Sequence, residues 1–473
     1  MEMNMKIAKR TPFEGAPVIT TPTVLGCAPG KPFMLRLSAI GERPIAFSVS
    51  DLPDTLSLDG QIISGTAARG EYTFLVTAEN AKGKSQSKIR LETAEGKVQR
   101  TPLMGFSSWN AFGTTVTDRD MIRTAEKMTE LGLVDYGYHY VNLDSSWQDK
   151  YGGEFDAIMP DPIRFPDIKG MVDSLHSMGL KAGIYSTPFV TSWGCPDDKR
   201  EIPGCTENPE DGRFTEGYYF PIGQIRKEKN NVKQWTAWGI DYLKYDWTPT
   251  DRINAEIMRE ALNESERDFV YCLSVAANID DADFLVNNVN SWRSNSDTDG
   301  SWSREKEIWE TYKPWQKYSG NGHYFDLDML SIGEGGLYKC TMTDEEKLFQ
   351  YSARAFLMSP IQLACDFEKA TDFELDLYCN EEVIAVNQDG LLLSPEVIFE
   401  ENDLTVYKKP LENGDFAIGL FNASDEVRTV KCALGGKFSV RDLWLKENVG
   451  VTEEIRTEIP PHCAKLYRVI KTL

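Results

Sequence analysis

Short runs of alternating apolar and polar residues fill the first hundred positions of the chain. Clear examples are Phe33–Leu37, Gln61–Ser64 and Tyr72–Thr77. Gly, Pro and Asp residues separate these runs, and no helical period of apolar positions is visible among them. The pattern predicts a small β-sandwich over residues 1–97, with Ala94–Lys97 as the linker that closes it.

The pattern changes over residues 98–392 to a repeated order of strand, loop and helix. Thr117 is a predicted N-cap for a helix that ends at Gly132. Further helices are predicted over 171–178, 232–238 and 253–262, and strands over 140–143, 180–186, 242–246, 269–274 and 289–293. This rhythm is typical of a (β/α)8 TIM barrel, although an open doubly wound sheet would share it. The barrel is favoured because polar residues follow the predicted strands, where a barrel has one common mouth: Asp144, Ser186, Asp246, Ser274 and Asp297.

The last segment, residues 393–473, returns to the β pattern. Its predicted strands are Leu404–Tyr407, Phe416–Phe421 and Ala464–Val469, and Asn413-Gly414 is a strong hairpin signal. The predicted fold is therefore multidomain: a TIM barrel flanked by an N-terminal β-sandwich and a C-terminal antiparallel β-sandwich.

Two short runs that end in aspartate carry the candidate chemistry. Asp246 follows Lys244 by two residues, and Asp297 follows Arg293 by four. A nearby cation keeps a carboxylate ionised, whereas a carboxyl in a less polar position keeps its proton. Two carboxyls with these opposed tasks are what glycosidic bond cleavage requires. The alternative reading is that both aspartates form structural ion pairs at strand ends.

Composition narrows the classes of partner and cofactor. The formal net charge of −22 disfavours nucleic acid, because binding of phosphates relies on clustered Lys and Arg. The four histidines do not cluster and no Cys-x-x-Cys occurs, so neither a metal site nor a cofactor is expected. Cys195 and Cys205 could pair, but the nine cysteines as a set read better as reduced thiols.

The chain shows neither the apolar core of a signal peptide near its N-terminus nor a run of apolar residues that could span a membrane. A soluble cytoplasmic protein without a membrane partner is the expectation. It would be secreted or periplasmic if a leader had been removed.

Several motifs between residue 101 and the C-terminus resemble glycoside hydrolase family 27, the family of α-galactosidases and α-N-acetylgalactosaminidases. They occur in the family's order and are 101–110 (TPLMGFSSWN), 140–144 (YVNLD), 183–186 (GIYS), 242–246 (YLKYD), 291–297 (SWRSNSD), 326–330 (DLDML) and 383–389 (VIAVNQD). The β domain before them lies outside this resemblance and looks like an accessory immunoglobulin-like module.

The resemblance implies a retaining glycosidase, with Asp246 as the nucleophile and Asp297 as the acid/base. Their carboxyls are then expected about 5–5.5 Å apart. The other implied site residues contact or surround the sugar: Trp109, Asp144, Tyr185, Lys244, Arg293 and Asp328. Among them, Asp144 would read the axial O4, and Arg293 would lie near O2.

Four departures from the family pattern bear mostly on the substrate. Ser145 follows Asp144 where the family commonly has a second aspartate, so the demand for a C6 hydroxymethyl group is expected to be relaxed. Ser274 and Ala277 align with the pair that leaves room for an acetamido group in N-acetylgalactosaminidases, but Val275-Ala276 replaces the usual Trp-Pro between them.

The two remaining departures concern local structure. Trp247 follows the nucleophile where a cysteine is usual, so that family disulfide is not expected. A long insertion over 195–220 is expected to form a lid or a wall of a subsite.

The main hypothesis is a retaining exo-glycosidase that removes terminal α-linked galactose-type residues from an oligosaccharide or glycoconjugate. α-N-Acetylgalactosaminidase and β-L-arabinopyranosidase activities are alternatives within the family. A non-catalytic carbohydrate-binding protein is the alternative from another class. The sequence leaves the oligomeric state open, and a homo-oligomer is compatible with it.

Overall fold

The computed structural model describes residues 6–188, 226–248 and 250–471. These residues form a parallel barrel between an N-terminal β-sandwich and a C-terminal antiparallel sheet, which confirms the predicted multidomain fold. The cysteines Cys195 and Cys205 and the insertion 195–220 lie outside the described residues.

Two small sheets form the N-terminal β-sandwich. One contains the strands Val24–Cys27, Gly83–Thr93, Gly70–Asn80 and Ala46–Ser50, and the other contains Pro32–Arg36, Ile62–Thr66 and Leu56–Asp59. A short pair, Val18–Ile19 with Ala39–Ile40, lies beside them. The apolar residues of the alternating pattern point into the sandwich. They form one buried cluster that includes Phe33, Ile63, Phe74, Val76 and Ile89.

Eight parallel strands form the barrel sheet. In spatial order they are Tyr324–Phe325, Ser291–Trp292, Val270–Ser274, Tyr242–Asp246, Lys181–Ser186, Tyr140–Leu143, Met104–Ser107 and Ile361–Leu363. Counted along the chain, Met104–Ser107 is the first strand, Tyr140–Leu143 the second, Val270–Ser274 the fifth, Tyr324–Phe325 the seventh and Ile361–Leu363 the eighth. A parallel bridge between Leu330 and Leu363 connects the segment after the seventh strand to the eighth strand. This bridge completes the ring, so all the strand C-terminal ends face one mouth.

Helices alternate with these strands around the barrel. They are Ser108–Phe112, Asp118–Glu130, Ile168–Ser177, Glu228–Trp238, Arg252–Glu264, Ala282–Asn288, Trp302–Tyr312, Asp344–Phe356, Asp372–Tyr378 and Glu381–Asn387. A hairpin of Gln148–Gly152 and Ala157–Pro160 follows the second strand. The predicted N-cap at Thr117 is confirmed, because its hydroxyl accepts a hydrogen bond from the backbone N–H of Asp120 and the helix then stops before Gly132 in the left-handed region.

The C-terminal region is a six-stranded antiparallel sheet. Its spatial order is Glu396–Glu401, Leu404–Pro410, Phe416–Asn422, Cys463–Lys471, Arg428–Asp442 and Glu447–Ile459. The sheet packs on two barrel helices, where the ring of Trp309 lies 5.0 Å from the ring of Phe421. The barrel and this sheet therefore share one hydrophobic core.

The N-terminal sandwich contacts the barrel at the end opposite the mouth. The Ser38 hydroxyl donates to the carbonyl of Val134 (2.8 Å), and the backbone N–H of Ala28 donates to Asp268 Oδ2 (2.6 Å). Both barrel residues precede strands rather than follow them. The sandwich is therefore remote from the chemistry that the strand ends carry.

Candidate active site

A cavity of about 520 Å³ opens at the barrel mouth. Seven of the ten predicted site residues line it: Trp109, Asp144, Tyr185, Lys244, Asp246, Asp297 and Asp328. The structure therefore brings together side chains that are far apart in the sequence. The other three predicted residues, Ser274, Ala277 and Arg293, do not line the cavity.

Strand alternation places Lys244 and Asp246 in the same cavity. Both lie on the strand Tyr242–Asp246, two positions apart, so their side chains point to the same face. The intervening Tyr245 points away and is buried against the ring of Trp247, 5.0 Å distant. A buried aromatic residue between two charged ones thus anchors the strand while the charged residues face the cavity.

Lys244 is paired with the carboxylate of Asp144 inside the cavity. Its Nζ donates to Asp144 Oδ2 over 2.8 Å, and that oxygen also accepts from the hydroxyl of Ser107 (3.2 Å). Burial by itself lowers the pKa of Lys244, but the carboxylates of Asp144 and Asp246 outweigh it and raise the pKa above its ordinary value. Lys244 therefore stays charged and presents a fixed cation to a ligand.

Asp246 is the deeper of the two candidate catalytic carboxyls. It is 8% exposed, and its Oδ2 accepts a 3.1 Å hydrogen bond from the hydroxyl of Tyr185. Its Oδ1 is buried without a hydrogen-bond partner. Burial raises the pKa of Asp246 to about 7, against the lowering effect of Lys244. An unpartnered oxygen of this kind is available to a ligand.

Asp297 lies at the outer part of the cavity, and its side chain is 57% exposed. The predicted strand over 289–293 is shorter than expected, since it covers only Ser291–Trp292, and Asp297 follows in a loop. The guanidinium of Arg293 binds its Oδ1 and lowers the pKa of the Asp297 carboxyl below the ordinary value. The cation that the sequence placed four residues ahead is thus a direct partner of the carboxylate.

Arg293 acts from behind the cavity wall. Its side chain is 3% exposed and also binds Asp328 Oδ2 through Nη1 at 2.5 Å. Arg293 thus joins two carboxylates that line the cavity, Asp297 and Asp328, and does not line it itself. Its expected place near a sugar O2 stays a prediction.

Asp328 fixes the backbone around this pair. Its Oδ2 accepts from the backbone N–H of Thr298, and its Oδ1 accepts from the backbone N–H of Met329, each over 2.8 Å. Asp328 has a positive φ of 72°, and its own N–H donates to Asp326 Oδ1 (2.8 Å). A residue in the left-handed region persists where its surroundings hold it, as these bonds do here.

The loop after the fifth strand differs from the expectation for Ser274 and Ala277. Val275 and Ala276 both have positive φ, 70° and 54°, which turns the chain sharply. As a result Val275 lines the main cavity, whereas Ala277 lines a separate small cavity beside Phe284. Ser274 is paired in register with Asp246, and its Oγ is buried without a hydrogen-bond partner.

Several lining residues are not among the ten predicted site residues, for example Val275, Met329 and Tyr338. Met329 directly follows a predicted site residue, and the position after an inward-facing loop aspartate was a usable signal. Tyr338 lies in the loop after the seventh strand, and loops at strand C-terminal ends build the mouth of a barrel. An aromatic residue in such a loop could have been considered on that ground.

Over the described residues, seven cysteines are free thiols, and no group of three or more His, Cys, Asp or Glu side chains is arranged to hold a metal ion. Trp247 at the family's cysteine position is buried, and its indole N–H donates to Asp251 Oδ2 (3.0 Å). Among all the described residues, no helix has the length and apolar character needed to cross a membrane.

Three protein families match successive parts of the chain. Residues 101–201 and 211–389 match the family described as alpha galactosidase A, and residues 401–469 match the alpha galactosidase C-terminal beta sandwich domain. Residues 16–93 match a provisional Ig domain family.

Individual relatives span most of the chain. The alpha-galactosidase of Cyamopsis tetragonoloba is 31% identical over 80% of this chain and 88% of its own. A provisionally named alpha-galactosidase of Bacteroides fragilis has a crystal structure that superposes with a TM-score of 0.84, at 28% identity, covering 98% of this chain and 99% of that one. Alpha-galactosidase I of Mortierella vinacea superposes with a TM-score of 0.67, at 27% identity, covering 80% and 99%. The chain belongs to glycoside hydrolase family 27, the α-galactosidase family, and is a glycoside hydrolase.

Proposed function

We propose that the chain is a retaining exo-glycosidase that hydrolyses terminal α-linked galactose-type residues by double displacement. The observation that carries the proposal is the pairing of a deep carboxyl, Asp246, with an outer carboxyl, Asp297, in one cavity. A retaining mechanism needs two such groups on opposite sides of one anomeric carbon.

In the first step, the Asp246 carboxylate attacks the anomeric carbon as the bond to the leaving oxygen breaks. Asp297 gives its proton to that oxygen, and a glycosyl ester of Asp246 forms. In the second step, the Asp297 carboxylate takes a proton from water, whose oxygen attacks the anomeric carbon. The ester bond breaks, and the sugar leaves with the configuration that it had in the substrate.

The first step needs the proton on Asp297, but in the free enzyme the proton that the two carboxyls share lies on Asp246. Burial raises the pKa of Asp246 to about 7, while Arg293 lowers the pKa of Asp297, so the proton of the free pair resides on Asp246. A bound sugar removes water from the exposed Asp297 and offers hydroxyl donors to the unpartnered Asp246 Oδ1. Both changes favour transfer of the proton to Asp297, which is the state that the first step needs.

The remaining cavity residues supply recognition of a galactose-type ring. The charged pair of Lys244 and Asp144 offers both a donor and acceptors to sugar hydroxyls, and leaving such buried groups unpaired penalises the wrong epimer. Trp109 and Tyr185 supply aromatic walls, which suit the C–H face of a pyranose. Ser274 and Ala277, the pair that would leave room for an acetamido group, do not line the cavity, which weighs against an N-acetylgalactosamine substrate.

A second candidate is favoured by Ser145, which lines the cavity where the family commonly has an aspartate. Without that carboxylate, the site has one acceptor fewer for a C6 hydroxymethyl group. A β-L-arabinopyranoside, which lacks that group, is therefore the second candidate substrate.

The test is a panel of p-nitrophenyl glycosides: α-galactoside, β-L-arabinopyranoside and α-N-acetylgalactosaminide. We expect turnover of the first or the second, the α anomer as the first product of the galactoside by NMR, and loss of turnover in Asp246→Asn. No turnover of any glycoside, together with retained oligosaccharide binding, would favour a carbohydrate-binding protein. An Asp246→Asn variant as active as the wild type would exclude the mechanism.

A further inference from the structure

Tyr338 is a cavity residue to which the steps above assign no task. It lies half-buried in the loop between the seventh strand and the helix Asp344–Phe356, and it lines the cavity together with Asp297. Its hydroxyl makes no hydrogen bond to any residue in the described ranges 6–188, 226–248 and 250–471. A tyrosine in this state presents both a ring face and a free hydroxyl to the cavity.

Backbone contacts on two sides hold this loop in place. The N–H of Gly336 donates to the carbonyl of Ala111 (2.8 Å), and the N–H of Leu337 donates to the carbonyl of Asn110 (3.1 Å). A Cβ atom on Gly335 would lie 2.2 Å from the carbonyl oxygen of Asn110, so only glycine allows this close approach.

The opposite side of the loop is attached to the segment that carries Asp297. The N–H of Thr341 donates to the carbonyl of Gly300 over 2.8 Å. An antiparallel bridge between Glu334 and Lys339 closes the loop on itself. Tyr338 is thus positioned between two anchored ends, and little ordering is left to a ligand that contacts it.

Tyr338 lies at the outer end of the cavity, and the two carboxyls show which end that is. Asp246 is 8% exposed and Asp297 is 57% exposed, so the cavity runs from the deep nucleophile to the outer acid. A general acid lies on the leaving-group side of the anomeric carbon. Burial and then the charges of Asp297 and Asp328 raise the pKa of the Tyr338 phenol, which agrees with a ring near the outer carboxylate.

We propose that Tyr338 is the platform of the leaving-group subsite, where its ring stacks against the sugar that is released after cleavage. The inference rests on the proposed function and adds the class of leaving group, a pyranose of an oligosaccharide. The electron-rich face of the ring suits the C–H face of that sugar, and the free hydroxyl can donate to one of its hydroxyls.

The experiment compares two substrates that share the transferred sugar and differ in leaving group. With the sugar that the aryl glycoside panel identifies, a glycosyl fluoride is paired with a disaccharide such as melibiose for galactose. Steady-state kinetics are measured for wild type, Tyr338→Ala, Tyr338→Phe and the control Leu337→Ala, whose side chain is the exposed neighbour in the same loop.

For Tyr338→Ala we expect a roughly tenfold lower kcat/KM on the disaccharide, mainly through KM, which corresponds to the loss of about 1.4 kcal/mol of aromatic contact. The glycosyl fluoride should be hydrolysed within twofold of wild type, since fluoride does not reach the ring. Tyr338→Phe should keep most of the disaccharide activity, and Leu337→Ala should match the wild type on both substrates.

Two results would overturn the inference while leaving the proposed function intact. One is an equal loss on both substrates in Tyr338→Ala, and the other is no loss on the disaccharide. If instead the wild type hydrolyses neither substrate, the proposed function fails and the inference fails with it.

Discussion

Asp328 Oδ2 accepts a 2.8 Å hydrogen bond from the backbone N–H of Thr298, the residue that follows the proposed acid/base. The same oxygen binds Arg293, which in turn binds Asp297. Asp328 therefore positions Asp297 twice, once through the peptide next to it and once through the guanidinium. A loss of Asp328 should act on the acid/base rather than on sugar binding.

We predict that Asp328→Ala lowers kcat on a disaccharide by on the order of 10²-fold, because small misplacements of a catalytic group have effects of this size. Asp328→Asn should lose less, since an amide oxygen can still accept from the Thr298 N–H. An aryl glycoside with an activated leaving group, which needs little protonation, should show a smaller loss in both variants. The measurement is kcat and KM on both substrates.

Asp299→Asn is the matched control, because Asp299 lies in the same loop and accepts from Ser301 rather than from Arg293. It should leave both rates near those of the wild type. A rise in KM without a loss of kcat in Asp328→Ala would contradict a positioning role. A melting temperature measured for each variant separates this effect from unfolding.

The pH profile of kcat/KM reports the free enzyme, in which the carboxyl pair must hold one proton and one charge. Since burial raises the pKa of Asp246 to about 7, the pair loses its last proton near that pH, and kcat/KM should fall above it. Because Arg293 lowers the pKa of Asp297, the pair gains a second proton only below the ordinary carboxyl range. We therefore predict an optimum on the acid side of neutrality.

In Asp297→Asn the requirement for a proton on the pair disappears, and only an ionised Asp246 is needed. With an activated aryl glycoside, kcat/KM of this variant should rise with pH to a plateau, without the fall above pH 7. If kcat/KM of the variant still falls above pH 7, a group outside the carboxyl pair causes that decrease.

Ser145 provides a test of substrate preference. Ser145→Asp restores a second carboxylate beside Asp144 and should raise the ratio of kcat/KM for the α-galactoside to that for the β-L-arabinopyranoside by roughly tenfold, the size of one added hydrogen bond to a charged group. Ser145→Asn is the control of similar size without charge. If both variants shift the ratio equally, the effect is steric and the role assigned to the carboxylate is wrong.

Lys409 in the C-terminal sheet gives a prediction for stability. It is fully buried, its Nζ donates to the carbonyl of Val386, and burial lowers its pKa to about 7. In the unfolded chain the lysine keeps its proton up to a pKa of about 10.4, so between these values the unfolded state binds more protons. The contribution of Lys409 to the free energy of unfolding therefore rises as the pH increases from 7 to 10.

The measurement is the free energy of unfolding of wild type and Lys409→Met at several pH values. The difference between the two should shift in favour of the wild type by up to about 1.4 kcal/mol per pH unit above pH 7. A difference that stays constant with pH would show that Lys409 does not change its protonation between the folded and unfolded states.

Much of the site could be predicted because it depends on strand geometry. Residues two apart on a strand face the same side, and parallel strands end at one mouth, so the sequence predicts that Lys244, Asp246 and Asp144 lie together. The β regions can be predicted from the alternating pattern as well, because their inward positions are apolar. These features follow from local periods that the sequence carries directly.

The missed features depend on loops and on contacts between distant segments. Neither Val275 nor Ala276 signals a positive φ, yet both adopt one, and the resulting turn directs Ala277 away from the site. Tyr338 reaches the mouth because the loop that carries it packs on the backbone of residues 110–111, which no local pattern reveals. The ion pair of Arg293 with Asp328 joins two loops that lie far apart in the sequence, so it too becomes visible only in the fold.

The central claim is that Asp246 and Asp297 act on opposite faces of one anomeric carbon. The most direct test replaces each in turn by glycine, adds azide and an activated aryl glycoside, and determines by NMR the anomer of the glycosyl azide formed. We predict that Asp246→Gly gives the inverted azide, because azide takes the place of the missing nucleophile, and that Asp297→Gly gives the retained azide, because azide attacks the glycosyl ester of Asp246. The same anomer from both variants, or wild-type turnover by Asp246→Gly without azide, would contradict it.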